Sequence, residues 1–500
     1  TIKATRGEIY DANGITLAST SVVWNIWADP SYSSILYTTS TNDDKTTVRT
    51  FDPTMCAEVS QGITLRLLSG DGESLDAVDT SSEEYTQQYQ TVYDALSKID
   101  SSYVVLATKV NNAVKLSIED YVSGFNKAHK KGSGADRIGR VSVSTEKSSQ
   151  RNYPYGAFAA AVLGFTDGEG VGTYGLEKSY EEDLAGTPGR SIAETNVNGE
   201  ILANTEADVH DAIDGNNLNL TLDENVQAIV EEYLAEAMDT FSVHGRGSAI
   251  VMNVKTGAIL AMASLEQFDP NDPMTVYDDK MQTILDKTDA LTADDIDWLE
   301  GRLGEKNVAG IIADGVISQE TTEDENGNTI SSEYTQLQGM LREAQWKNKN
   351  ITELYMPGSI FKLITASAGL DSGIMNMNQT FYCNGELTVN QGSELWEHTY
   401  HCANGEVHNL QNMAQALDNS CNLWFIQAAQ TLQPTVFYDY IRAFGFTQPT
   451  GVDLPSETRW TSVYNAQQMA EVDTNLYTAA FGQNEAITPM QMATAIAAIA

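Results

Sequence analysis

Residues 357–370, PGSIFKLITASAGL, set the hardest condition on any fold this chain can adopt. Ile360, Phe361, Leu363, Ile364, Ala366, Ala368 and Leu370 make the stretch apolar nearly all round, and a helix of that kind is buried. Pro357 and Gly358 mark its start, because proline is favoured where a helix begins. Lys362 stands inside it. Lysine is almost never buried unpaired, so the core must accommodate an amine. The pattern puts Ser359 in the first turn, with Lys362 three residues on along the same face. Desolvation lowers a lysine pKa, so a neutral amine here can take a proton from a neighbouring hydroxyl and make the serine a nucleophile. The helix N-terminus favours negative charge developing at an attacked carbonyl. The plainer reading is a capping serine beside a snorkelling lysine.

A second candidate follows in DNSCNLWFIQAA. AQALDN ends one helical pattern and LWFIQAA begins another, which puts Ser420 and Asn422 in a tight turn between helices. A hydroxyl can relay protons there and an amide can hydrogen-bond a peptide. Alone, these are ordinary turn residues; after Ser359 and Lys362, in that order, they extend the same chemistry.

Five hundred residues exceed one compact core, so two or three domains are expected. The 29 basic residues against 69 acidic give a net charge of -40, a surface that repels phosphate backbones and excludes nucleic-acid binding as the function class. No run of about 18 apolar residues exists to span a membrane. The chain opens on Thr1 and closes inside the helical pattern MATAIAAIA, so both ends read as cut, and the lack of a leader says nothing of compartment. Among the four cysteines, Cys383 and Cys402 flank a loop and suit a disulfide outside the cytosol. His398, His401 and His408 crowd the same segment and keep a metal site open, although the spacing fits no standard zinc pattern. Free thiols are the third reading.

Three zones appear. In the first, IYDANGITLA reads as strand, Asn-Gly turn, strand, followed by a polar Ser/Thr-rich middle. HKKGSGADR, 129–137, reads as an exposed basic loop, and the zone ends in a Gly- and aromatic-rich stretch. In the second, LNLTL reads as a strand. Thr221 and Glu224 suggest a capping box before an apolar stripe running from Val226 to Met238 at helical spacing. GSAIVMNVKTGAILAMAS then reads as a β-hairpin whose turn holds Lys255, Thr256 and Gly257. An acidic insert, about 274–343, reads as a surface elaboration, with TADDIDWLEGRL helical and TTEDENGNTISS a loop tip. The third zone carries the Ser359 segment.

MPGSIFK resembles the P-G-S-x-F-K box of class B penicillin-binding proteins, the monofunctional peptidoglycan D,D-transpeptidases, and Ser420-Cys421-Asn422 resembles their S-x-N box. RGEIYDANG resembles the family's opening segment, with Ala12 in place of the usual arginine. YPYGAFAAAVLGF and YGLEKSYEEDLAGTPG resemble the end of its non-catalytic module, and FGQNEAITPMQMA a late catalytic segment. The matches run in the family's order over nearly the whole chain. Departures are GEVHNL, where the family usually has Gly-His-Gly, and the length of the acidic insert.

The resemblance implies a multidomain α+β chain. An elongated, mostly-β or mixed N-terminal pedestal, residues 1–217, of the dimerisation type would precede a serine-transpeptidase domain, 218–500, with helices around an antiparallel sheet. It implies Ser359 as nucleophile, Lys362 as general base, Ser420 as proton shuttle and Asn422 as the group orienting Lys362 and substrate. It also implies that Lys255-Thr256-Gly257 is a decoy, because the family's catalytic Lys-Thr-Gly follows the S-x-N box and would fall past residue 500 with the last strands of the sheet. No metal or organic cofactor is called for. The implied ligands are peptidoglycan stem peptides and β-lactams, and the implied setting is the extracytoplasmic side of the cell membrane among cell-wall synthesis partners. The alternative is a non-catalytic scaffold or sensor of a cell-wall assembly.

Overall fold

The computed structural model describes residues 3–41, 47–129, 140–192, 208–243, 247–265, 267–287, 289–312, 315–318, 320, 322–323, 329–330, 332–389 and 398–500. Residues 130–137 of the expected basic loop lie outside the described residues, as does most of the TTEDENGNTISS tip. The chain divides into two compact units.

The first unit comprises Thr1–Glu8, Ala18–Asn152 and Ala185–Asn216. The strand Thr16–Ala28, from Ser19 on, pairs antiparallel with Val143–Asn152 on one side and Val104–Val110 on the other. The polar middle is more helical than its composition suggests. Asp52, Ser82 and Asn111 each accept a backbone N–H as N-caps of the helices Pro53–Leu68, Glu83–Ser97 and Asn112–Ala128. Sheet and helices close over Ile26, Leu36, Val59, Ile63, Leu96 and Ile118, all essentially inaccessible. Asp52, Ser82 and Asn111 are therefore helix starts.

The second unit comprises Ile9–Leu17, Tyr153–Leu184 and Asn217–Ala500. The Asn-Gly turn forms as read: Gly14 has φ +84° and its N–H donates to the Asp11 carbonyl. Ile9–Tyr10 pairs in parallel with Leu218–Asn219. The helix Glu224–Thr240 corrects the sequence reading. Its N-cap is Asp223, which accepts from Asn225 and Val226, while Thr221 Oγ1 donates instead to the Ile259 carbonyl. Asp223 sits immediately before the helix, so its carboxylate reaches two free N–H groups that Thr221 cannot. The apolar stripe is only half covered: Ile229 is 54% and Tyr233 64% exposed. The buried side chain is Gln227, which accepts from Met262 N and donates to Met262 O, stitching helix to hairpin. That hairpin, Gly247–Met252 with Ile259–Leu265, is antiparallel as expected.

The acidic insert builds a small core of its own. Met281, Ile284, Leu285, Leu299, Leu337 and Leu341 are buried among the helices Asp279–Leu285, Ala293–Leu303 and Glu333–Trp346. Asp295 is 1% exposed and caps its helix with Thr292. Burial alone would raise its pKa, but hydrogen bonds from Lys280, Lys287 and Thr292 outweigh that and hold the carboxyl well below its usual range.

The largest core lies where the Ser359 segment meets the helix Asn422–Ala443. Phe361, Ile364, Ala368, Trp424, Phe425, Ala428 and Phe446 are all fully buried there. Trp424 sheds its one polar liability by donating Nε1–H to the Gln411 carbonyl at 3.0 Å. No described helix is long and apolar enough to cross a membrane.

Candidate active site

The Ser359 segment starts differently from a simple α-helix. Gly358–Phe361 is a 3-10 turn, and the α-helix proper runs Lys362–Asp371. A 3-10 turn eclipses residues three apart, which brings Ser359 and Lys362 together. The turn is braced from behind by FGQNEAITP. Gly358 N–H donates to the Gly482 carbonyl at 2.9 Å, and Tyr355 and Ile487 exchange a pair of backbone bonds. Gly482 has φ +74°, and a Cβ there would stand 2.3 Å from the Gly358 carbonyl oxygen and 2.7 Å from Phe361 Cβ. Only glycine allows this approach.

Ser420 arrives from the turn between the helices Met413–Asp418 and Asn422–Ala443. Its backbone is left-handed, φ +47°, an uncommon conformation for serine that functional sites often hold. The consequence is a closed triangle. Lys362 Nζ donates to Ser359 Oγ at 3.1 Å and to Ser420 Oγ at 2.9 Å, and Ser420 Oγ donates to Ser359 Oγ at 3.0 Å. The third Lys362 bond goes to the Ser420 carbonyl at 2.6 Å, so all three ammonium protons have acceptors.

Lys362 is 1% exposed, and among the described residues no carboxylate pairs with it. Burial therefore dominates its titration and pushes the amine down to about 8, with the Cys421 and Cys402 thiols pulling weakly the other way. At neutral pH about a tenth of such an amine is unprotonated, which makes it a competent base. Asn422 is not in the triangle. Its Nδ2 donates to the His401 carbonyl at 3.0 Å rather than to Lys362.

Cys383 and Cys402 are free thiols whose sulfurs lie 3.6 Å apart, against a bond length of about 2.05 Å. Two further side chains meet them. Cys421 Sγ lies 3.6 Å from Cys402 Sγ, and His408 Nδ1 lies 3.4 Å from Cys383 Sγ. The sequence reading had grouped His398 and His401 with this segment, but both are exposed on their strand, and only His408 turns inward. In the sequence Cys421 stands only as the middle residue of S-x-N, and no spacing ties it to the other thiols. Asn409 takes φ +57°, a region asparagine tolerates.

Lys255, Thr256 and Gly257 are exposed in a turn bonded within itself: Gly257 N–H donates to Asn253 O, and Asn253 N–H to Ala258 O.

Glu485, in FGQNEAITP, is a residue sequence reasoning passed over. It is fully buried; among the described residues Oε2 has no hydrogen-bond partner and Oε1 accepts only from Tyr464 N–H at 3.3 Å. Burial pushes its carboxyl up to about 8. The folded value lies above the unfolded one, so the carboxyl's contribution to stability is intact below about pH 4.5 and declines as pH rises through about 8. We expect Glu485→Gln to match wild type in thermal melts near pH 5. Near pH 9 the variant should melt several degrees higher, reflecting a few kcal/mol. Equal melting temperatures near pH 9 would contradict the buried, protonated carboxyl.

Comparison with known proteins gives this geometry its family. Residues 247–500 match the penicillin binding protein transpeptidase domain. The chain belongs to that family. Residues 1–220 match the penicillin-binding protein dimerisation domain. Among curated relatives, Stage V sporulation protein D of Bacillus subtilis is 28% identical over 357 residues, 71% of this chain and 44% of that protein. The peptidoglycan D,D-transpeptidase FtsI of Escherichia coli is 23% identical over 370 residues, 71% of this chain and 47% of that protein. The chain thus spans less than half the length of these relatives. In fold it is similar to a peptidoglycan synthetase from Bifidobacterium adolescentis, with TM-score 0.59 and 21% identity, covering 100% of this chain and 72% of that one. It is also similar to a structure of penicillin-binding protein 2 in complex with MreC from Helicobacter pylori, with TM-score 0.57 and 18% identity, covering 98% of this chain and 75% of that one. The two-module expectation of a mixed N-terminal module and a transpeptidase-type domain is met.

Proposed function

We propose that this chain carries the acyl-serine site of a peptidoglycan D,D-transpeptidase. The observation that bears most weight is the triangle of Ser359, Lys362 and Ser420 around a buried, pKa-lowered amine. Neutral Lys362 takes the Ser359 Oγ proton as Oγ attacks the penultimate D-Ala carbonyl of a stem peptide. The tetrahedral adduct collapses, the C–N bond to the terminal D-Ala breaks, and Ser420 passes the proton from Lys362 to the leaving amine. An amine of a second stem then attacks the acyl-serine; its proton returns through the same pair, and Ser359 Oγ leaves. In this reading Asn422, whose Nδ2 donates to the His401 carbonyl, hydrogen-bonds the peptide backbone. β-Lactams enter the first half of this cycle and stall as acyl-Ser359.

The N-terminal unit serves as pedestal and docking surface, and the setting is the extracytoplasmic face of the cell membrane beside other cell-wall synthesis proteins. The MreC complex of the Helicobacter relative supports a partner of that class. A non-catalytic scaffold has no use for a buried lysine between two hydroxyls, so we favour the enzyme. The test supplies the full protein with an N-acylated peptide ending in D-Ala-D-Ala, with and without an added D-amino acid amine. Release of D-Ala, with transfer to the amine, is the expected result. Intact peptide under both conditions, from a protein that melts cooperatively, would favour the scaffold.

A further inference from the structure

We propose that Cys383, Cys402, His408 and Cys421 bind one zinc ion in a closed tetrahedral site, and that this ion anchors the Ser420–Asn422 turn. The four ligand atoms all lie within 4.8 Å of one another. A tetrahedral zinc with Zn–S of about 2.3 Å and Zn–N of about 2.0–2.1 Å sets S···S edges near ~3.8 Å and S···N edges near ~3.6 Å. The structure has two S···S edges of 3.6 Å and one S···N edge of 3.4 Å. Those are the separations of ligands around a common centre, about 1.5 Å too long for a disulfide.

The chemistry of the donor set agrees. Three thiols and an imidazole form one of the recurrent structural zinc sets, with no ligand position left for water. The three cysteines are each no more than 3% exposed. The His408 ring turns Nδ1 to the sulfurs; its Nε2 makes no hydrogen bond among the described residues, and the Glu406 carboxylate lies 3.4 Å from it, on the side where metal-bound histidines usually have an outer-sphere partner. The fourth cysteine shows what an isolated buried thiol does in this chain: among the described residues, the polar contacts of Cys56 Sγ are Ser60 Oγ at 3.9 Å and the Tyr93 carbonyl at 3.7 Å. Binding exchanges the ion's waters for four protein ligands and sends the thiol protons to solvent, with no change of oxidation state.

The ligands come from four separate places. Cys383 ends the strand Thr380–Cys383, and Cys402 follows the strand His398–His401. His408 directly precedes the strand Asn409–Asn412, and Cys421 is the N-cap of the helix Asn422–Ala443. One ion therefore staples two strand pairs to the start of the helix that frames the site. Cys421 lies between Ser420, whose left-handed backbone aims its hydroxyl at Ser359, and Asn422, whose amide holds the residue before Cys402. A metal–sulfur bond at Cys421 fixes both neighbours. This anchoring role rests on the acyl-serine reading above; the metal content does not.

The test uses the full protein, purified without chelator, equilibrated with micromolar zinc and gel-filtered. Elemental analysis should give one zinc per chain, and cobalt exchange should give thiolate charge-transfer and tetrahedral ligand-field absorption. Cys383→Ser and His408→Ala should hold less than a tenth of an equivalent, while Cys56→Ser keeps the full equivalent. Because a ligand variant can unfold, the unmutated protein is also stripped with a chelator. Its rate of acylation by a fluorescent penicillin should fall at least tenfold and return on adding zinc. Wild type with under a tenth of an equivalent, or a quantitative Cys383–Cys402 disulfide in non-reduced digests, overturns the site. One bound zinc whose removal leaves acylation unchanged overturns the anchoring role alone. Full zinc with no acylation in any form counts against the acyl-serine reading and leaves the site standing.

Discussion

Ser359→Ala protein should take up no penicillin, with acylation falling by about 10⁵-fold or more, the loss seen when a serine nucleophile is removed from a comparable constellation. Nothing nearby replaces it. Ser420 Oγ is the other hydroxyl on Lys362, but it sits on a left-handed turn, and one lone pair of Ser359 is its acceptor. The substitution removes one oxygen from a triangle whose remaining side, Lys362 to Ser420, keeps two bonds of 2.6 and 2.9 Å. Fold and melting temperature should therefore change little, which separates chemistry from structure. Saturating fluorescent penicillin, followed by denaturing gel and intact mass, reads the result. A labelled Ser359→Ala chain would place the nucleophile elsewhere.

Lys362→Met should slow acylation by about 10²–10⁴-fold, the usual worth of a positioned general base. Methionine keeps the length and apolar body of the side chain, so the site beside Phe361 and Phe425 stays filled. The hydroxyls of Ser359 and Ser420 keep each other at 3.0 Å, but neither has a base. The wild-type rate should follow the fraction of neutral amine. That fraction rises with pH, so acylation should climb about tenfold per pH unit below about 8 and level off above it. The Lys362→Met rate should lack that rise. A wild-type profile flat between about pH 6 and 9 would mean the amine is not the base.

How far the sequence could be read depends on how local each signal is. Ser359 and Lys362 were legible because three residues of one segment carry both, and an apolar helix makes a lysine conspicuous. Even so, the segment begins as a 3-10 turn, which residue pattern does not separate from α-helix. Ser420 was legible only through its order behind Ser359, because serine in a turn is otherwise commonplace. The cap of Glu224–Thr240 went to Asp223 rather than Thr221, a choice between neighbours decided by reach. The stripe from Val226 to Met238 forecast the helix correctly but not its burial, since periodicity says which face is apolar and not whether anything covers it. The thiol cluster was legible in part: Cys383, Cys402 and His408 share a segment that keeps a metal site open, but nothing in the sequence joins Cys421 to them. Its members are 19, 6 and 13 residues apart, far from the short spacings that mark metal sites, and only the packing of strands and helix start brings them together.

The most direct measurement is peptide mapping of the full protein after brief exposure to benzylpenicillin at pH 8. The account predicts one penicilloyl group per chain, on the peptide containing Ser359, its yield following time as a single exponential. An adduct on any other residue, or none from protein that is folded by its melt, would contradict it.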